Sequence, residues 1–356
     1  MAVFRFGQSP AVIGLDIGSS AIKAIELQRT GRGRRVAAYA MEPVPPGSIA
    51  DGNILDPTAV AAAVRRALAR GTFSGREVCV SLSGNAVIVK KISLPVMTAA
   101  ELADSIVWEA EQYIPFDVQD VNLDYQILDA GTGPDARGSM EVLLVAAKKD
   151  KTAEYTSVVE AAGRTPVVVD VDAFALQNAF EANYGLEPEA VIILLNAGAS
   201  AVNINILQHG RSVFTRDISV GGNAYRDALQ RELGVSPETA DRVKRGLQVD
   251  GVAREEVGPV LRAVTEQVLL EIQKTFDFFK ATATADRIDR LVVSGGASRI
   301  EGVAAMLQSR FGVEVEELNP FKAITWDAAR LGVDASEAAP VAAVAVGLGL
   351  RTAGDR

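Results

Sequence analysis

The sequence has one cysteine and one histidine in 356 residues. Cys79 has no second thiol within the chain, which excludes an internal disulfide and a thiolate metal cluster. His209 alone cannot build a multi-histidine metal site, and HExxH or Ser-His-Asp chemistry would have to rest on it entirely. Aspartates and glutamates remain available for magnesium. Positive charge is short: 36 Lys and Arg stand against 45 Asp and Glu, a net charge of −9. General nucleic-acid binding needs a positive field to displace counterions, so that class is set aside. Long apolar runs are missing as well. The longest, Ala190–Leu195 and Val341–Leu350, fall short of the roughly 18–20 residues that span a bilayer. Met1–Pro10 carries Arg5 with no long apolar stretch behind it and does not read as a signal peptide. The expectation is a cytoplasmic chain whose membrane association runs through a partner.

A hydrophobic share of 48 % with 23 % charged residues supports a packed core rather than disorder. At roughly 100–200 residues per domain, the length suggests two or three domains. The first block is strand-rich: Ala11–Ile17 and Ala21–Leu27 flank a Gly-Ser-Ser turn, and Val36–Met41 follows an arginine-rich turn. Asp56-Pro57 opens a helix to Arg70. Val78–Leu82 and Ala86–Ile92 around Ser83-Gly84-Asn85 read as a hairpin, and Thr98 with Glu101 as a capping box. Strands at Asn122–Leu128 and Met140–Lys148 and a helix at Asp150–Ala162 complete an αβ unit. Thr165–Val171 is a strand, with Asp172 as cap of the next helix. After Gly185–Glu189 come three strands, then helices, then a strand ending in Ser294-Gly295-Gly296. The last helix is read from Pro340 to Leu350. The pattern is two αβ halves, each with an insertion.

An internal repeat is the most informative feature. Leu15-Asp-Ile-Gly-Ser-Ser-Ala-Ile-Lys23 aligns with Leu195-Asn-Ala-Gly-Ala-Ser-Ala-Val-Asn203. Each is an apolar strand, a polar residue, a small turn with serine, and a second alternating strand. One such turn is ordinary turn chemistry. Two at matching places can aim backbone N–H groups and hydroxyls at the phosphates of one nucleotide. Gly295 and Gly296, between strand and helix, permit close approach of a flat ligand. No glycine is followed by lysine and no GxGxxG opens the chain, which excludes a Walker A loop and a dinucleotide fingerprint.

With the loop Pro43–Gly47, the helix ending Trp108-Glu-Ala-Glu-Gln-Tyr-Ile-Pro-Phe116 and the segment Val169-Asp-Val-Asp-Ala-Phe-Ala-Leu-Gln-Asn178, the chain resembles the PilM family. These are actin-like proteins of type IV pilus assembly, related to FtsA. The resemblance implies an actin-like (ribonuclease-H-like) α/β ATPase fold. It divides the chain into a first core (1–77 and 164–186), an inserted αβ subdomain (78–163), a second core (187–222 and 286–356) and an inserted helical subdomain (223–285). It implies ATP with magnesium in the cleft. Asp16 would lie by the metal. Gly18, Ser19, Ser20 and Lys23 would face phosphates, as would Asn196, Gly198, Ala199 and Ser200. Gly295, Gly296, Ser298 and Arg299 would face adenosine. Asp241 and Lys244 share one helix face and are either a ribose or adenine contact or a surface ion pair. Asp170 or Asp172 would orient the attacking water.

The family usually carries an acid where this chain has Asn196. An amide brings no negative charge to magnesium or water, so slow or negligible turnover is expected. The resemblance also implies docking of the cytoplasmic N-terminal tail of PilN, an inner-membrane protein. Trp108, Glu109, Tyr113 and Phe116 either line that groove or belong to the core. Other platform proteins or the assembly ATPase are further candidate partners. The arginines at 29, 32, 34 and 35 form either a lipid- or acid-facing turn or a solvated tip. Thr352–Arg356 offers no amphipathic anchor of the FtsA kind. A small-molecule kinase and a division filament protein are the competing readings. A kinase needs a general base and an acceptor pocket, for which only Asp16, Asp170 and Asp172 are at hand.

Overall fold

A computed structural model describes residues 12–31, 33–131, 138–282 and 287–355. Met1–Pro10, Arg32 and most of the loop Gly131–Gly138 lie outside the described residues. The first sheet begins with β1 (Ile13–Ile17), β2 (Ala21–Thr30) and β3 (Gly33–Pro43), an antiparallel meander. A two-residue ribbon follows, β4 (Ile49–Ala50) with β5 (Asn53–Ile54). Helix α1 (Pro57–Arg70) starts as expected: the Asp56 carboxylate accepts from the Ala59 amide, and Pro57 occupies the first turn. Strand β6 (Glu77–Leu82) then pairs parallel to β1.

The insertion is β7 (Val87–Pro95), α2 (Ala99–Glu111), β8 (Val121–Asp129) and β9 (Ser139–Lys148), with β9 central in an antiparallel three-stranded sheet. The Thr98–Glu101 capping box is present. Helix α3 (Lys149–Ala161), β10 (Thr165–Val171) and α4 (Asp172–Tyr184) return to the first sheet, where β10 pairs parallel to β6.

The second half repeats the plan. Strands β11 (Ile192–Ala197), β12 (Val202–Gln208) and β13 (Arg211–Ile218) form a meander. Helices α5 (Gly222–Leu233), α6 (Pro237–Lys244) and α7 (Arg254–Thr282) follow. Next come β14 (Arg290–Ser294), α8 (Val303–Phe311), β15 (Glu314–Glu317), β16 (Ile324–Thr325), α9 (Ala328–Leu331) and α10 (Ala335–Gly349). The sheet orders are β10-β6-β1-β2-β3-β16 and β13-β12-β11-β14-β15. Each holds a three-strand meander extended on the side of its first strand by two parallel strands, and β16 adds a third to the first sheet at the far edge, parallel to β3.

Several sequence expectations shift. Residues 78–82 and 86–92 do not form a hairpin. β6 is an inner strand of the first sheet, whereas β7 is an edge of the inserted one, and Gly84–Ala86 is a single turn between them. The inserted unit is therefore narrower than 78–163. β6 and α3 belong with the first core, where Tyr155, Val158 and Val159 pack among Val60, Val64 and Val80. The stretch from β16 onward also departs from the expected second core. β16 pairs with β3 at Arg34 and Arg35, and α10 packs its alanines against Ile25 and Leu27. In exchange, α4 lies on the second sheet, with Leu176 and Phe180 against Ile192, Leu194 and Leu207. The Asn205 amide, fully buried, donates to the Ala173 carbonyl at 2.8 Å and pins this crossing. Helices α5–α7 share one apolar cluster with the second sheet rather than forming a separate core. Helix α10 also starts five residues before Pro340, which lies inside it.

Candidate functional site

The repeat expected from sequence is realised atom by atom. In the first turn the Gly18 amide donates to the Ala21 carbonyl at 3.2 Å; in the second, Gly198 donates to Ala201 at 2.9 Å. The strands flanking each turn put residues 16 and 23, and 196 and 203, directly opposite one another. Lys23 Nζ donates to Asp16 Oδ2 at 3.0 Å, and Asn196 Nδ2 donates to Asn203 Oδ1, also at 3.0 Å. An ion pair in one half thus stands where an amide pair stands in the other. The second half therefore differs from the first at both cross-strand positions, Asn196 for Asp16 and Asn203 for Lys23.

The two turns meet. Ser19 Oγ donates to Ser200 Oγ at 3.0 Å across 181 residues of chain. The amides of Ser19, Ser20, Ala199 and Ser200 have no protein acceptor among the described residues. Unsatisfied N–H groups at paired glycine turns form the concavity that anions occupy. Behind the second turn, the Gly222 and Asn223 amides at the start of α5 donate to the carbonyls of Gly198 and Ala199. A Cβ on Gly221 would fall 2.7 Å from both carbonyl oxygens, so glycine is required for this approach.

Gly295 has φ +88°, and a Cβ there would lie 2.3 Å from the Ala197 carbonyl oxygen and 2.7 Å from Asn196 Oδ1. The Ser294–Gly296 loop therefore closes over the end of β11, beside Asn196. Gly296 sits over Val341. Ser298 is buried and donates to the Gly295 carbonyl at 2.8 Å, while Arg299 is exposed and reaches Glu317 at 3.8 Å. Asp241 and Lys244 do pair on α6, at 2.7 Å, and Lys244 also donates to the Gly222 carbonyl at 3.1 Å. That second bond ties α6 to the start of α5 behind the second turn.

The structure separates Asp170 from Asp172. Asp170 is buried, accepts from the Val171 amide and pairs with Arg351 Nε at 3.1 Å. Burial raises its carboxyl, and Arg351 pulls it back. The guanidinium occupies this carboxylate. Asp172 is not the cap of α4: it is the first helical residue, and its carboxylate accepts instead from Ser81 Oγ at 2.5 Å. Ser83 lies near it as well and holds it down in the same sense. Burial pushes the Asp172 carboxyl up to about 7, with repulsion from Asp16 next and the serines opposing both. A carboxyl poised near neutrality beside Asp16 suits proton handling.

Asp217 was not legible as a site residue. Its carboxylate accepts from Asn203 Nδ2 at 2.8 Å and from the Gly84 amide. Burial raises it, and both bonds oppose that. Extending the repeat by one strand would have exposed it, because β13 sets Asp217 opposite Asn203. His209 is exposed in a turn, with Nδ1 3.1 Å from the Pro188 carbonyl oxygen.

A cleft of about 500 Å³ lies between the insertion and the body. Val87–Val89 of β7, Pro115, Phe116 and Lys148 form one wall; Val171, Ala173 and Thr215–Asp217 form the other. Of the four expected groove residues only Phe116 lines it, with Lys148 Nζ 4.2 Å from its ring centre. Tyr113 lies under Lys90 in the inserted core, Glu109 is half-buried, and Trp108 is 71 % exposed on the outer face of α2.

A family model described as type IV pilus assembly protein PilM matches residues 14–353. The chain belongs to the PilM family. A solved PilM–PilN type IV pilus biogenesis complex superposes with a TM-score of 0.85 at 29 % identity, covering 97 % of this chain and 99 % of that one. Ethanolamine utilization protein EutJ from Carboxydothermus hydrogenoformans follows at TM-score 0.59, 16 % identity and coverage of 97 % and 90 %. MreB 5 of Spiroplasma citri bound to AMPPNP gives 0.51, 14 % identity and coverage of 96 % and 95 %. These last two bear on the fold alone, which is actin-like α/β. PilM membership assigns the chain to type IV pilus assembly rather than to small-molecule kinases or division filaments. Among the described residues no helix is long and apolar enough to cross a membrane.

Proposed function

We propose that this PilM-family chain is a cytoplasmic scaffold that holds ATP with magnesium between its two turns. In this reading it docks the cytoplasmic tail of a PilN-type membrane protein at the inner face of the inner membrane. The Ser19–Ser200 contact carries the nucleotide reading, because it brings two sets of unsatisfied amides together from opposite halves of the chain. Phosphates would take the amides of Ser19, Ser20, Ala199 and Ser200, with Lys23 beside Gly18. Adenosine would lie toward Gly295, Gly296 and Arg299, near Asp241 and Lys244. No cluster of three acidic, His or Cys side chains able to hold a metal occurs among the described residues. That fits magnesium, which is commonly held by one or two carboxylates together with substrate phosphates and water. Asp16 is that carboxylate, and Asp172 is the candidate for orienting water.

With Asn196 standing in the second turn where the first has Asp16, the site holds its ligand rather than spending it. Protein loaded with magnesium and ATP, then freed of excess nucleotide, is expected to retain intact ATP for hours. Asn196→Asp is expected to raise phosphate release. Many rounds of release by the unmodified protein, or no retained nucleotide, would refute the holding role.

The cleft beside the insertion is the docking site this reading favours, in keeping with the similarity to a chain solved with PilN. Aromatic anchors in desolvated pockets dominate such contacts. Phe116→Ala is therefore expected to weaken binding of a PilN-tail peptide by about tenfold or more, while Trp108→Ala leaves it within about twofold. Isothermal titration of both variants checks this, and the reverse order would move docking to the outer face of α2.

A further inference from the structure

A row of polar side chains crosses the second sheet at a single register. Ser294, Asn196, Asn203 and Asp217 are cross-strand partners on β14, β11, β12 and β13. Ser294 and Asn203 are buried, so each needs a partner. Asn196 Nδ2 donates to Asn203 Oδ1, and Asn203 Nδ2 donates to Asp217 Oδ1. Asp217 sets the direction of this chain. An ionised carboxylate only accepts, so Asn203 must turn its amide nitrogen to Asp217 and its oxygen to Asn196. Asn196 must then offer its nitrogen to Asn203, which leaves its oxygen beside Ser294 Oγ at 3.5 Å and under Gly295. One carboxylate thus decides which end of the Asn196 amide faces the glycine loop, two strands away.

The second oxygen of Asp217 leaves the sheet. It accepts from the amide of Gly84, in the turn where the chain passes from β6 into the insertion. Ser83, the preceding residue, acts on the Asp172 carboxyl of the first half, holding it down. The turn is therefore held by Asp217 of the second half and lies beside Asp172 of the first, and Ser83, Gly84 and Asn85 line the 500 Å³ cleft. In the first half the row does not continue past Lys23 toward the third strand. There the strand partner beyond Asp16 and Lys23 is Met41, 47 % exposed.

We propose that Asn203 and Asp217 form a relay between the second nucleotide turn and the Ser83–Asn85 turn, through which nucleotide and docked tail sense one another. The inference rests on the nucleotide and docking sites proposed above and adds how they communicate. A ligand that reorients the Asn196 amide disturbs Asn203, then the bond from Gly84. A segment that displaces Gly84 acts in reverse, and coupling between two binding sites must be reciprocal.

Asn203 touches neither proposed ligand, so Asn203→Leu tests the relay. In the unmodified protein, saturating Mg-AMPPNP is expected to change the affinity for a synthetic PilN-tail peptide by about fivefold or more. The peptide is expected to change AMPPNP affinity by the same factor. In Asn203→Leu each ligand alone is expected to bind within about threefold of normal, with the coupling reduced below about twofold. General weakening of the fold would lower both affinities and leave their ratio intact. Amide hydrogen exchange gives a readout that does not need the peptide. Mg-AMPPNP is expected to alter exchange across residues 83–87 in the unmodified protein and not in Asn203→Leu. If the peptide fails to bind, the docking reading falls and exchange alone decides the relay. If Asn203→Leu does not fold, Asp217→Asn, similar in size and without the charge, takes its place in the exchange experiment. Exchange at 83–87 indifferent to nucleotide in the unmodified protein, or unaltered coupling in the variant, would overturn the relay.

Discussion

Gly347→Ala is expected to lower the stability of the whole molecule by about 3 kcal/mol or more, near the upper end of what a single added methyl costs in a packed interior. A Cβ at 347 would fall 1.7 Å from the Ala175 carbonyl oxygen, and backbone cannot step aside as a flexible side chain does. The contact lies where α10 crosses α4, the helices that each half lends to the other's sheet. On the strand side, a Cβ on Gly14 would lie 2.1 Å from the Ala345 carbonyl oxygen. Backbone therefore meets backbone on two sides of α10. Gly349→Ala is the comparison, because the first atom in its way is a methyl of Ile25 at 3.1 Å. Its cost is expected to be about 1 kcal/mol. Denaturant unfolding of the two variants decides the matter, and equal midpoints would mean that the crossing has slack.

The Asp172 substitution should act through pH. In the folded chain this carboxyl sits at about 7 against an ordinary value of 3.8. Between those values the folded state keeps a proton that the unfolded chain has released, so stability falls as pH rises through the window and the loss is complete above 7. The difference of about 3 pH units corresponds to about 4 kcal/mol at 1.36 kcal/mol per unit. Partial solvent access at Asp172 brings this nearer 3 kcal/mol. Asp172→Asn removes the titration and keeps an acceptor for Ser81. The variant, free of nucleotide, is expected to be more stable than the unmodified protein at pH 8 by about that amount, and nearly equal to it at pH 4. A gap of the same size at both pH values would place the effect in packing rather than in the buried charge.

The sequence made the two halves visible because each turn is short, small and set between alternating strands, and alternation is a local signal. Asp56, Thr98 and Glu101 were legible for the same reason, since a cap is decided within four residues. Where the structure departs, partner choice lies far along the chain. Ser83-Gly84-Asn85 has turn composition, but composition cannot show whether the flanking strands pair with each other or with β1 and β9. Only packing against distant elements assigns β16 and α10 to the first sheet. Pro340 drew the expected helix start to itself, although α10 tolerates it internally and uses its carbonyl to accept from the Gly295 amide. Asp170 and Asp172 lie two residues apart and could not be ranked until Arg351 was found against the first and Ser81 against the second. Asp217 belongs to no motif; its meaning comes from its register.

The return of β16 and α10 to the first sheet has a consequence for synthesis. A ribosome delivers β1, β2 and β3 early, yet Ile25, Leu27 and Val36 lack their cover of Phe321, Ile324, Ala342 and Val346 until the last tenth of the sequence has emerged. The nascent chain must therefore carry an uncovered apolar face through most of its own translation. A product halted near residue 320 would keep both glycine turns and still be a client for chaperones, and a separately made 321–356 segment is the piece that would complete it.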